Sequence, residues 1–200
     1  PPSVLALEAG VSLAPANKET LVMAGRFVKE LARARGRLLL PVDSEHSALF
    51  RLINQCGREN VESVLLTASG GPFRTLPAER FESLSAADAL KHPTWTMGQK
   101  ITVDSATLAN KGLEVIEACC LFDLPPETVQ VVIHPQSVVH SLVRTRDGVL
   151  YAQISPPDMR LPILAALLYP ECAENRLPRL DLTSGIEMGF YPPRFAPSLL

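Results

Sequence analysis

No Cys-x-x-Cys pair and no zinc-ligand spacing occur among Cys56, Cys119, Cys120 and Cys172, the four cysteines of this 200-residue chain. A thiolate metal centre is thereby excluded, and reduced thiols in a reducing compartment are expected. Neither G-x-G-x-x-G nor G-x-x-x-x-G-K-[ST] is present, so the usual glycine fingerprint for a dinucleotide is missing from this segment. The longest apolar stretches, such as Leu161 to Tyr169, are too short to cross a bilayer. No signal-peptide pattern opens the chain, so no membrane partner is expected. A formal net charge of −2 without a block of like charges leaves no nucleic-acid footprint. Internal repeats and low-complexity tracts are absent too. The chain opens at Pro1 rather than methionine and reads as a segment of something longer.

What is present alternates between strand-like and helix-like runs. Ser3 to Gly10 reads as a helix end with a glycine stop, and Val11 to Ala16 as a strand that Pro15 keeps off a central position. Asn17 caps a predicted helix from Lys18 to about Arg35, with Leu21, Ala24, Val28 and Leu31 inward and Gly36 past its end. Arg37 to Val42 reads as a short strand ending in Asp43-Ser-Glu-His46, followed by a helix to about Asn54. Val61 to Thr67 is a buried-type strand that opens into Ala68-Ser-Gly-Gly-Pro-Phe73. Arg74 to Gln99 is weakly patterned, which suits a lid, the alternative being a surface loop with its aromatic pinned to the body. Lys100 to Val103 reads as a strand end entering a helix capped by Asp104 and Ser105, with Ala109, Leu113, Ile116 and Cys120 as its buried stripe. Val129 to Ile133, Val138 to Thr145 and Val149 to Ile154 are strand-like, the last two joined by the tight-turn chemistry of Asp147-Gly148. Leu161 to Leu168 reads as a short helix. The fold expected is α/β (α+β): a mixed sheet with helices packed on it, parallel-type in its first half and antiparallel after the central helix.

Chemistry concentrates in a few places. Asp43 and Glu45, at a strand tip, would point the same way at period two, and two adjacent carboxylates are relieved by a hard cation between them. Glu114 could add a third oxygen. Such a set suits Mg²⁺ or Mn²⁺ better than zinc. The plainer alternative is that Asp43 and Ser44 cap the second helix while Glu45 is solvated. Ser69-Gly-Gly71 after an apolar strand could cradle an anion or be an ordinary turn. Lys18 at a helix start opposes the dipole, so it either meets an anion or is simply solvated. Asn110, Lys111 and Gly112 in mid-helix are more than a core face requires, and read either as a functional face or as a solvated polar face with a loosely packed glycine. His134 and His140 fit structural roles.

Ala16-Asn-Lys-Glu19, Leu40-Pro-Val-Asp-Ser-Glu-His46, Leu66-Thr-Ala-Ser-Gly-Gly-Pro-Phe-Arg74, His92-Pro-Thr-Trp-Thr-Met-Gly98, Val103-Asp-Ser-Ala-Thr107, Asn110-Lys-Gly-Leu-Glu114, Ile133-His-Pro-Gln-Ser137 and Pro157-Asp-Met-Arg160 follow one another in that order. Together they resemble the 1-deoxy-D-xylulose 5-phosphate reductoisomerase family over essentially the whole chain. The resemblance implies a central metal- and substrate-binding domain over 11–178. It also implies the end of a missing NADPH-binding domain at 1–10 and the start of a truncated C-terminal region at 179–200. It implies Asp43, Glu45 and Glu114 as ligands of Mn²⁺ or Mg²⁺, with Co²⁺ a further option. Ser69, Ser105, Asn110 and Lys111 would grip the substrate phosphate, with Ser44 and Lys18 near the reacting carbons. His92, Trp95 and Met97 would belong to the lid. Asn17, Glu19, Gly98 and Met159 would touch NADPH. Lys18, Glu45, His92 and Glu114 would carry the catalytic roles.

The implied reaction is a metal-assisted rearrangement of 1-deoxy-D-xylulose 5-phosphate and a hydride reduction to 2-C-methyl-D-erythritol 4-phosphate, performed by a homodimer in bacterial cytoplasm or plastid stroma. The sequence departs from the family pattern at Pro15 and at Ile154-Ser-Pro-Pro157. A truncated, non-catalytic module that still binds metal, phosphate or a sister subunit is the competing expectation. A metal-dependent phosphohydrolase is disfavoured by the absence of an Asp-x-Asp motif.

Overall fold

Residues 2–193 are described by the structure, a computed structural model. Of the C-terminal region expected at 179–200, residues 194–200 lie outside the described residues. The first helix, α1 (Pro2–Glu8), buries Leu7 against Leu21, Val28 and Ala32 of α2 (Lys18–Ala34). Asn17 caps α2 by accepting the Thr20 N–H, and Gly36 follows with φ +61°, as the glycine stop requires. Inside α2 the backbone leaves helical geometry at Ala24 (φ −140°). Ala24 therefore turns outward and Gly25 is buried in its place, where a Cβ would stand 2.3 Å from Cys120 Sγ.

The strands expected at 11–16 and 37–42 do not form; one parallel bridge, Leu13 to Leu39, joins these stretches. Pro15 has no N–H to extend the pairing. Next come α3 (Ser44–Cys56), β1 (Val61–Ala68), the short α4 (Ala86–Ala89), α5 (Gln99–Ala106) and α6 (Ala109–Phe122). They are followed by β2 (Val129–Ile133), β3 (Val139–Thr145), β4 (Leu150–Ile154) and α7 (Arg160–Leu168). The sheet order is β2-β1-β3-β4, with β1 parallel to β2 and the other neighbours antiparallel. α6 provides the crossover that a parallel pair needs. Thr145 to Val149 closes the β3–β4 hairpin with Gly148 at φ +86°.

Alternation along β1 sends Val64 and Leu66 toward one face, where Leu49, Leu52 and Ile53 of α3 and Ala118 of α6 complete the main core. Leu65 lies among a second cluster, Val138, Val139 and Leu142, which Leu180 and Met188 cover.

Two further expectations fail around residue 100. Gln99–Ala106 is a helix, not a strand end, because the Gly98 carbonyl accepts both the Thr102 N–H (3.1 Å) and its hydroxyl (2.8 Å). Asp104 and Ser105 thus sit in the last turn of α5 rather than capping α6. The chain breaks at Thr107, and α6 begins after Leu108. The stripe expected to be buried on α6 is also wrong: Ala109 is exposed and Ile116 is 48% exposed, while Lys111, Glu114, Glu117 and Ala118 are buried.

Candidate active site

Three helix beginnings meet above the C-terminal end of β1. Asp43 and Glu45 are on no strand tip; Asp43 is the N-cap of α3, accepting the Glu45 N–H at 3.3 Å, and Glu45 lies in the first turn. Carboxylates gain there from the helix dipole. Glu114, one turn into α6, faces them: one oxygen of each of Asp43, Glu45 and Glu114 lies within 4.8 Å of the others. An all-oxygen set at that spacing fits a hard divalent cation such as Mg²⁺.

Two lysines occupy the same cluster. Lys18 Nζ from the start of α2 lies 2.7 Å from Asp43 and 3.0 Å from Glu114, and donates to Asn110 Oδ1 at 2.8 Å. Lys111 Nζ donates to Glu45 at 2.8 Å and also pairs with Glu114. Burial would lower both ammonium pKa values, but Asp43 and Glu114 raise that of Lys18, and Glu114 and Glu45 that of Lys111. Both stay charged. Burial, followed by the Glu45 carboxylate, raises Glu114 above the ordinary carboxylate range. Asp43 is pulled well below its ordinary range because the His46 and Lys18 contacts outweigh its burial.

Beside this cluster, the 69–71 loop runs against the end of α5 so closely that a Cβ on Gly71 (φ +67°) would lie 2.2 Å from the Ser105 carbonyl oxygen. Only glycine fits that approach. Leu108 precedes α6 without a side-chain oxygen of its own, Thr107 Oγ1 accepts the Ala109 N–H at 3.1 Å, and Asn110 and Lys111 sit in the first turn. Anions are favoured at such an end. Ser69, Ser105, Asn110 and Lys111 all line one cavity of about 200 Å³ together with the three carboxylates.

His92 closes the cavity from the 74–98 segment. Its Nδ1 accepts the N–H groups of Thr94 (3.1 Å) and Trp95 (2.9 Å), leaving Nε2–H to donate to Ser69 Oγ at 3.1 Å. Trp95 lies over His140, ring centres 6.4 Å apart, and Met97 and Met159 add apolar wall.

Of the other expected residues, Ser44 hydrogen-bonds Glu45 on the cavity wall. Asn17, Glu19 and Gly98 lie off the lining: Asn17 is spent on Thr20, Glu19 pairs with Lys100, and Gly98 is the N-cap of α5. Two residues not singled out by sequence stand directly behind the carboxylates, His46 and Glu117. Polar residues at 110, 111, 114 and 117, a turn apart on one helix, were the available signal.

The family model for the 1-deoxy-D-xylulose 5-phosphate reductoisomerase C-terminal domain matches residues 39–122, which carry these carboxylates and the cradle. The protein of that name from Treponema denticola is 51% identical over 192 residues, 96% of this chain and 50% of the relative. Its counterpart from Chlorobaculum tepidum is 54% identical over the same shares. The chain belongs to the 1-deoxy-D-xylulose 5-phosphate reductoisomerase family. It spans about half the length of these curated relatives. A crystal structure of DOX-P reductoisomerase in complex with NADPH, fosmidomycin and magnesium superposes with a TM-score of 0.88 at 44% identity, covering 96% of this chain and 49% of that one. The reductoisomerase from Zymomonas mobilis in complex with NADPH gives 0.88 at 42% identity, covering 98% and 51%. Among the described residues, no helix is long and apolar enough to cross a membrane.

Proposed function

We propose that this chain is the metal- and substrate-binding body of an enzyme that converts 1-deoxy-D-xylulose 5-phosphate to 2-C-methyl-D-erythritol 4-phosphate. The observation that carries the reading is the convergence of Asp43, Glu45 and Glu114 on one cavity that Ser69, Ser105, Asn110 and Lys111 also line. Magnesium and NADPH in related structures support it.

Asp43, Glu45 and Glu114 would hold the divalent cation, which when bound polarises the ketone and neighbouring hydroxyl of the substrate. Ser69, Ser105, Asn110 and Lys111 bind the phosphate, and that remote grip fixes the carbon skeleton for rearrangement. Lys18, charged and buried beside Glu114, stabilises negative charge developing on the substrate oxygens. His92 donates toward the phosphate side from Nε2, and Trp95 and Met97 exclude water from the aldehyde. NADPH supplies the hydride. Met159 on the cavity wall and Asn17, Glu19 and Gly98 at the rim form the face toward it. The domain limits 1–10, 11–178 and 179–200 belong to this reading.

Titration of the chain with Mn²⁺, wild type against Glu114→Gln, with and without fosmidomycin, tests it. Metal binding that Glu114→Gln abolishes and fosmidomycin strengthens is the expected result. Equal affinity in both proteins overturns the ligand set.

A second reading, a non-catalytic module of the same family, draws on the internal engagement of Asn17 and Glu19. Turnover by this chain with Mg²⁺ and NADPH would remove it. Homodimer formation is part of the proposal: β4 is an edge strand with Leu150, Tyr151 and Ile154 exposed, suited to pairing across a two-fold axis. A monomer at micromolar concentration in sedimentation would reject it.

A further inference from the structure

Glu117 is 1% exposed, and its Oε2 is the buried side-chain atom left without a hydrogen bond among the described residues. It lies 3.6 Å from His46 Nδ1. The His46 ring is fully buried, lies parallel to Phe122 with ring centres 6.3 Å apart, and has both nitrogens committed. Nδ1 is 3.1 Å from Asp43 Oδ1, and Nε2 is 2.9 Å from the Glu114 carbonyl oxygen. An ionised carboxylate and a carbonyl only accept, so the ring donates from both sides. Asp43, His46 and Glu117 also meet metal-ligand spacing. With both ring nitrogens already spent, however, the trio serves as a support and not as a second cation site.

An oxygen buried without a hydrogen bond needs a reason. Here the reason is geometric. His46 ties the side chain of Asp43 to the backbone of Glu114, and so spans α3 and α6. Lys18 pulls Asp43 the opposite way through its other oxygen, Oδ2, at 2.7 Å. Glu117 is the acid facing His46 from α6, behind this line.

We propose that Glu117 is a positioning residue of the metal centre: through His46 it sets the orientation of the Asp43 carboxylate and its distance from Glu114. This rests on the metal-centre reading above. Outer partners of ligating groups typically govern metal affinity by about 10–100-fold.

The experiment is Mn²⁺ binding to the chain, followed by calorimetry and by the electron paramagnetic resonance line shape of the bound ion. The proteins are wild type, Glu117→Gln, His46→Gln and the double variant. Glu117→Gln is expected to weaken Mn²⁺ about tenfold and to alter the line shape. The double variant should bind no more weakly than His46→Gln alone, which a merely structural role would not produce. A folded Glu117→Gln with wild-type affinity and line shape overturns the proposal while leaving the metal site standing. A wild-type chain that binds no Mn²⁺ overturns both. Should Glu117→Gln not fold, Glu117→Asp decides. Weakened Mn²⁺ binding with an altered line shape supports the proposal, and wild-type values in both overturn it.

Discussion

Lys18 and Glu114, 96 residues apart in sequence, hold each other at 3.0 Å with both side chains almost wholly removed from water. A buried pair of this kind costs desolvation that its attraction alone seldom recovers. Its place here is inside the carboxylate cluster, where Asn110 bonds both partners.

Losing the Lys111 ammonium leaves Glu45 without its cation and the buried Glu114 with Lys18 alone. Lys111→Met should therefore destabilise the metal-free chain by about 3–5 kcal/mol. Saturating Mg²⁺ should recover part of the loss, because an ion that binds only the folded state stabilises it. Urea denaturation with and without Mg²⁺ measures both. A loss that Mg²⁺ leaves untouched would count against a cation among Glu45 and Glu114.

In the proposed metal centre, removing an acid from the cluster would act on the ion directly. Asp43→Asn should weaken Mn²⁺ by more than the tenfold expected for a residue standing behind the ligands. Calorimetric titration gives the comparison.

The 69–71 loop has no room for a side chain at its closest approach. Gly71→Ala combines a left-handed backbone with a 2.2 Å collision and should cost more than the about 1–2 kcal/mol set by conformation alone. Gly36→Ala, with φ +61° and nothing within 4 Å, should cost only that conformational amount. Thermal melts of the two variants side by side reveal the difference.

Acid should release the 74–98 segment. Burial, followed by the nearby Arg74 cation, lowers the His92 pKa below its ordinary value, and the neutral ring is what accepts from Thr94 and Trp95. The neutral form is favoured on folding, so its contribution is complete above about pH 6.5 and is lost as pH falls through the lower folded-state value. Trp95 is the single tryptophan, so its fluorescence reports on this segment. Emission should red-shift between pH 7 and 5 in the wild type and stay level in His92→Asn.

Caps and turns made much of this fold legible in sequence. Asn17 and Gly36 bracket α2 as expected, Asp147-Gly148 closes the hairpin, and β1 spans Val61–Ala68 against an expected Val61 to Thr67. The alternative in which Asp43 caps the second helix holds as well, although Glu45 is paired with Lys111 rather than solvated. The buried face of α6 was hidden for a physical reason. Hydrophobic periodicity assigns Lys111, Glu114 and Glu117 to solvent, and only charges arriving from α2 and α3 make their burial tolerable. For α5 the β-branched run Ile101-Thr-Val103 suggests a strand. The Gly98 carbonyl, which takes both the N–H and the hydroxyl of Thr102, decides otherwise.

The contact between Gly25 and Cys120 has a mechanical consequence. α2 and α6 meet there with no spare space, and Lys18 stands seven residues, about 10 Å of helix, toward the cluster. A methyl group at position 25 would act as a wedge at one end of a lever, opening the gap between ammonium and carboxylate at the other.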